Sequence, residues 1–180
     1  MQKFIHAQPL ESDRLPIVRK DTADAATYHE AVFSRVFNQR QLSRYPRAVI
    51  EASKPSHVVE AVKLAIQEDC RVSVRSGGHS WAAWSVRDDA ILIDLGNLRS
   101  MEYDPETHIA RCSPSTTGRM LNSFLAENGR MFGGGHCPDV GLGGFLLQGG
   151  MGWNCKVCLI FDERTRPSAN FLLKELGLGV

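Results

Sequence analysis

Two short loops hold most of the chemistry that this chain offers. Arg75-Ser76-Gly77-Gly78-His79-Ser80 and Gly133-Gly134-Gly135-His136-Cys137-Pro138 each set a reactive side chain among glycines, an imidazole in the first and a thiol in the second. Glycine has no Cβ, so backbone at these places can come very close to a ligand. Consecutive N–H groups freed by Gly77 and Gly78 form a concavity suited to a pyrophosphate, and Arg75, Ser76 and Ser80 can add donors. Two such loops point to a large, flat, phosphate-bearing cofactor gripped in two places. The first loop also has a plainer reading, a tight turn with His79 exposed, and it lacks the dinucleotide spacing G-x-G-x-x-G.

The remaining reactive groups leave alternatives open. His79 can serve as base, metal ligand or hydrogen-bond partner, but no second His or carboxylate lies at ligand spacing from it. His136 reads as structural or solvent-facing. Cys137 is either a nucleophile in a loop rich in backbone N–H groups or a small buried hydrophobe, as most free cysteines are. Cys155-Lys156-Val157-Cys158 carries the C-x-x-C spacing of redox and zinc half-sites. With His136 and Cys137 it would supply four soft ligands, yet no second C-x-x-C is present. A zinc-binding module therefore ranks behind the cofactor reading.

The elements that must position these loops follow from periodicity. Thr22 to Phe37 predicts a helix, with Asp21 or Thr22 as cap and Ala23, Ala26, Ala31, Val32 and Val36 recurring at helical spacing. Ala48-Val49-Ile50 reads as a short strand. His57 to Asp69, with Ser56 as N-cap, places Val58, Val59, Val62, Ala65 and Ile66 on one helical face. Arg71 to Arg75 alternates polar and apolar as a half-buried strand does. The first loop thus follows a strand–helix–strand unit, which normally gives parallel, right-handed pairing. Ala90 to Leu95 reads as a buried strand, and Met101–Tyr103 and His108–Cys112 as a hairpin about Asp104-Pro105-Glu106-Thr107. Thr117 to Asn128 predicts a helix closed by Gly129, and Asn170 to Leu176 a short further one.

Between Gly133 and Trp153 nine of 21 positions are glycine, where an average near 7% would give one or two. Ordering glycine is entropically costly, so such density implies backbone geometry that side chains would obstruct.

Bulk properties narrow the class. With 180 residues, 43% apolar and 23% charged, the chain can bury a core and form one domain. A net charge of +1 without basic runs gives no case for nucleic acid or an anionic membrane. No stretch approaches the ~18–20 apolar residues of a membrane span, and Met1 to Val18 has no signal-peptide core. Five cysteines are too few for a disulfide scaffold. A cytoplasmic protein is the expectation.

Taken together, Val72 to Ser80, Ile93-Asp94-Leu95 and Gly134 to Gly144 closely resemble one family. It is the FAD-linked oxidases of the vanillyl-alcohol oxidase/p-cresol methylhydroxylase (PCMH) type, in particular the berberine-bridge-enzyme-like branch. The resemblance runs from Tyr45 to Cys155 in order. It implies an α+β, PCMH-type FAD-binding domain of small mixed sheets with flanking helices, incomplete at its C-terminus. It further implies that Arg75, Ser76, Gly77, Gly78 and Ser80 wrap the FAD pyrophosphate. His79 would be bonded to the 8α-methyl of the isoalloxazine and Cys137 to C6, with Val140, Gly141 and Gly144 near the ring. The implied activity is hydride transfer from a small alcohol, amine or sugar-like substrate to bicovalently bound FAD, then to oxygen; the chemistry is the flavin's and the protein supplies position.

Such oxidases run to several hundred residues and draw their catalytic base from a substrate domain, to which no residue here corresponds. The resemblance therefore implies a helical lead-in over 1–40, the N-terminal part of the FAD-binding domain over 41–155 and a divergent tail over 156–180. A truncated, inert fragment is the rival expectation. The oligomeric state is not legible.

Overall fold

The computed structural model describes residues 14–153. Four strands form the main sheet: β1 (Ile17–Arg19), β2 (Ala48–Glu51), β3 (Val72–Arg75) and β4 (Ile91–Asp94), in the order β1-β2-β4-β3. β1 runs antiparallel to β2, while β2 and β3 both run parallel to β4. β2 and β3 are therefore parallel, as the strand–helix–strand unit predicts, but they are not neighbours. All four residues of β4 are buried, and continuous burial needs cover on both faces, which only a central strand receives.

Each face of the sheet is covered by one helix. α1 (Ala25–Phe33) buries Tyr28, Ala31, Val32 and Phe33 against Val49 and Leu92. α2 (Pro55–Gln67) lays Ala61 and Ala65 over Ala48, Ile50, Ile91 and Ile93. Small alanines let α2 approach the sheet closely, so the isoleucines beneath it are fully enclosed. Removing each such side chain from water stabilises the fold by roughly 1.5–3 kcal/mol. Tyr28 adds a hydrogen bond from its hydroxyl to the Pro46 carbonyl, at 2.6 Å.

A second layer is thinner. The hairpin β5 (Met101–Asp104) and β6 (Ile109–Cys112) forms a separate two-stranded sheet. α3 (Gly118–Ala126) and the short α4 (Leu142–Leu147) pack beside it around Leu121, Leu125 and Leu142. The α+β class with small mixed sheets expected from the sequence is the one found.

Local differences have local causes. α1 begins at Ala25 because the carboxylate of Asp24, rather than Asp21 or Thr22, accepts the Thr27 N–H at 2.9 Å. It stops at Phe33, four residues early, and Arg35 to Phe37 leave the helix to brace the first loop. α2 starts at Pro55, whose fixed φ suits the first helical position, with Lys54 rather than Ser56 at the cap. β3 alternates as expected, but its buried residues are the polar ones, Ser73 and Arg75. The helix expected over Asn170 to Leu176 lies outside the described residues.

Candidate cofactor site

The C-terminal ends of the parallel strands carry the site. Arg75, the last residue of β3, is only 2% exposed. Its Nε donates to Asp94 Oδ2 at 2.6 Å, its Nη1 to the Val32 carbonyl at 2.5 Å and its Nη2 to the Ala31 carbonyl at 2.6 Å. Those carbonyls belong to the last turn of α1, where a cation complements the helix dipole. Burial pulls the guanidinium down to about 10, which still leaves it charged at neutral pH. The side chain expected to reach a pyrophosphate is thus taken up inside the fold, and only the Arg75 backbone adjoins the loop.

Arg35 does what Arg75 does not. Its Nη1 pairs with Asp94 Oδ1, and its Nη2 donates to the Ser76 carbonyl at 2.6 Å. Ser115 Oγ donates to the same carbonyl at 3.0 Å, and Ser76 Oγ donates to Pro114 O at 2.6 Å. Phe37 N donates to Gly78 O at 3.2 Å. Gly78 sits at φ +73°, and a Cβ there would stand 1.8 Å from the Arg35 carbonyl, so only glycine fits. The Ser80 hydroxyl accepts the Trp84 N–H at 3.3 Å.

The second loop is sewn to the entrance of α3. Pro138 O accepts from Arg119 N at 2.7 Å, and Val140 O from Gly118 N at 3.2 Å. Arg119 also grips Asp139 with two bonds, at 2.8 and 3.0 Å, and holds that exposed carboxyl below its ordinary range. The Gly143 N–H reaches Pro114 O at 2.8 Å, the same carbonyl that takes the Ser76 hydroxyl. One carbonyl oxygen therefore ties both glycine loops together.

The loops also touch directly. A Cβ on Gly77 would lie 2.6 Å from Gly141 N, and one on Gly141 would lie 2.6 Å from Gly77 Cα. Across this contact His79 Nε2 and Cys137 Sγ stand 3.2 Å apart, although 58 positions separate them in sequence. Both side chains are half-buried. His136, by contrast, is exposed and lies edge-on to Trp153 with centroids 4.4 Å apart.

The glycine density has a more specific cause than the sequence suggested. Gly143 is crowded by Ser76 Oγ and Pro114, Gly150 by the Phe145 ring and Gly152 by the Gly134 carbonyl. These glycines let the protein pack on itself. Gly144 is different: it is exposed, and nothing lies within 4 Å of a Cβ built there. Beside the knot opens a polar cleft of about 220 Å³, whose lining includes Arg35, Asp94, Arg99, Ser113, Ser115 and Thr117. Arg35, Phe37, Pro114 and Ser115 carry no motif of their own, and only the folded chain brings them to the loops. Among the described residues no group of three or more His, Cys, Asp or Glu side chains could hold a metal ion. Cys155 and Cys158 lie outside them.

The FAD binding domain family matches residues 46–163, and the chain belongs to that family of FAD-linked oxidoreductases. It is 47% identical over 145 residues to the FAD-linked oxidoreductase nodO of Hypoxylon pulicicidum, covering 81% of this chain and 32% of that protein. It is 30% identical over 148 residues to a xylooligosaccharide oxidase of Thermothelomyces thermophilus, covering 81% and 29%. Among solved structures, 6-hydroxy-D-nicotine oxidase of Arthrobacter nicotinovorans superimposes with a TM-score of 0.69 at 26% identity, covering 84% of this chain and 32% of that one. A berberine-bridge-enzyme-like protein of Physcomitrella patens shares the fold, with a TM-score of 0.69 at 23% identity over 79% and 30%. The chain thus spans about a third of the length of the relatives it matches. No helix of the described residues is long and apolar enough to cross a membrane.

Proposed function

We propose that this chain is the flavin-holding part of an FAD-dependent oxidase, with FAD bonded through its 8α carbon to His79 and through C6 to Cys137. The observation that carries the reading is the 3.2 Å approach of the imidazole to the thiol across two interlocked glycine loops. A tight turn or a buried structural cysteine has no need of that convergence.

The residues present suit the cofactor. The first loop is held through its carbonyls, Ser76 O by Arg35 and Ser115 and Gly78 O by Phe37. That is the arrangement in which loop N–H groups face a pyrophosphate. Ser76, Gly77, Gly78 and Ser80 form this cradle, with Arg75 acting through its backbone. The neighbouring cleft adds the Arg99 guanidinium and hydroxyls of Ser113 and Thr117 as further donors. Val140 and Gly141 back the ring, and the open Gly144 leaves a surface against which a flat group can lie. The flavin supplies two-electron redox chemistry when bound. His79 and Cys137 fix its orientation, and the knot of loops brings the two side chains to one place.

The substrate is a small alcohol, amine or sugar-like molecule, with dioxygen as the acceptor. The xylooligosaccharide and 6-hydroxy-D-nicotine oxidases named above act, by their names, on a sugar and an amine-bearing molecule. The test is to express residues 1–180, precipitate the protein in acid and record a visible spectrum. A yellow pellet is expected, with His79→Ala and Cys137→Ala each retaining one bond to the flavin. A colourless wild-type pellet, or two bonds surviving in either variant, would overturn the assignment.

A further inference from the structure

We infer that Phe37 is a positioning residue for His79, setting the plane of the imidazole that the flavin reading above makes an anchor. The two rings are stacked, with centroids 4.0 Å apart and planes inclined by 11°. A histidine χ2 is a broad, roughly two-fold torsion, so the loop backbone alone does not orient the ring. The Phe37 face does, and it leaves the Nε2 edge aimed at Cys137.

Phe37 is itself fixed. Residues 35 to 38 run beside the first loop and hold it at three successive places. Arg35 Nη2 donates to Ser76 O at 2.6 Å, Phe37 N to Gly78 O at 3.2 Å and Asn38 Nδ2 to Trp81 O at 3.1 Å. The Trp81 ring meets Phe37 edge-on, at 5.2 Å and 86°. A strap bonded at three points along the loop, carrying one aromatic face against its reactive side chain, is built to orient that side chain.

The consequence is a directed reaction at one anchor. Bond formation at His79 would remove a proton and an electron pair from the flavin 8α-methyl and a proton from the imidazole. Dioxygen, the acceptor named above, would take the pair and both protons as hydrogen peroxide. A reacting atom held about 1 Å out of place costs on the order of 10²-fold in rate. Phe37→Leu therefore slows attachment at His79 about 10²-fold and leaves attachment at Cys137 unchanged. Phe37→Tyr, which keeps the ring, restores the wild-type rate.

The experiment uses the full chain, produced in a riboflavin-starved host so that no flavin is attached, and then incubated with FAD in air. Flavin mass on the His79 and Cys137 peptides is followed with time in wild type, F37L and F37Y. Equal His79 rates in wild type and F37L would overturn the inference. A second readout needs no flavin: the His79 ring-proton resonances should lie upfield in wild type and F37Y, from the ring current of the stacked face, and return downfield in F37L. Wild-type resonances at the positions of an unstacked histidine would overturn it whether or not F37L folds. A wild-type chain that takes up no flavin yet keeps the upfield resonances supports the orientation of His79 and removes the proposed function instead.

Discussion

At the scale of single residues, Arg75 shows how a side chain's chemistry and its use can part. A cation at the mouth of a glycine loop reads as an anion donor, yet every donor direction seen here ends on Asp94, Ala31 or Val32. The information that decides this is the position of α1, and no local pattern around residue 75 contains it. The convergence of His79 and Cys137, in contrast, was legible, because each lies in a loop whose glycine framing is conspicuous without any structure. Tyr28 offers a residue-scale prediction. Burial pushes its phenol up to about 12, from an ordinary value near 10. The neutral form is thus favoured in the folded state, so its contribution is intact below pH ~10 and is lost as pH rises toward 12. Thermal midpoints measured from pH 9 to 12 should fall more steeply in wild type than in Tyr28→Phe. Parallel curves would show that the phenol does not govern alkaline unfolding. At neutral pH the same variant loses about 1 kcal/mol, the usual worth of one hydrogen bond, here the bond to Pro46 O.

At the scale of elements, what the sequence revealed follows from how strongly each segment repeats. α3, β4 and the β5–β6 hairpin were legible because apolar spacing, a closing Gly129 and an Asp-Pro turn agree with one another. α2 was legible as a helix, but Val59 and Ile66, read as part of its inner face, are exposed, and Ala61 is buried instead. β1 was not, since three half-buried residues carry no periodicity and gain their place only by pairing with β2. α4 was hidden too, because its sequence, Leu-Gly-Gly-Phe-Leu-Leu, contains the residues that disfavour a helix. Its Gly143 passes against Pro114, where a Cβ would come within 2.9 Å, and the element buries Leu142 and Phe145. The glycines consequently divide by partner. Gly77→Ala would drive a methyl into the Gly141 backbone and should lower stability by roughly 1–3 kcal/mol or prevent folding. Gly144→Ala meets nothing within 4 Å and lies inside α4, so thermal stability should hold or rise by up to ~1 kcal/mol. On the flavin reading its covalent flavin content nonetheless falls. A Gly144→Ala protein with normal stability and undiminished flavin would exclude that backbone from the ring's surroundings.

At the scale of the whole molecule, Asp94 is the hub. Its carboxylate takes Arg75 from β3 and Arg35 from the strap, its Oδ1 accepts the Gly96 N–H at 2.7 Å, and its own carbonyl receives Ala52 N at 2.9 Å. Two cations face one buried anion, so Asp94→Asn leaves positive charge uncompensated in the interior. The expected loss is about 3–5 kcal/mol, read as an earlier denaturant midpoint. A loss below ~1 kcal/mol would show that the network adds little. The hub also joins parts of the chain that lie on either side of the start of the family model. The family match begins at residue 46, whereas β1, α1, Arg35 and Phe37 all precede it. Anyone cutting a minimal unit at the edge of that match would discard an outer strand, the cover of one sheet face and the brace under the imidazole. The working boundary of this fold lies some thirty residues upstream of the first residue of the family model, near Ile17.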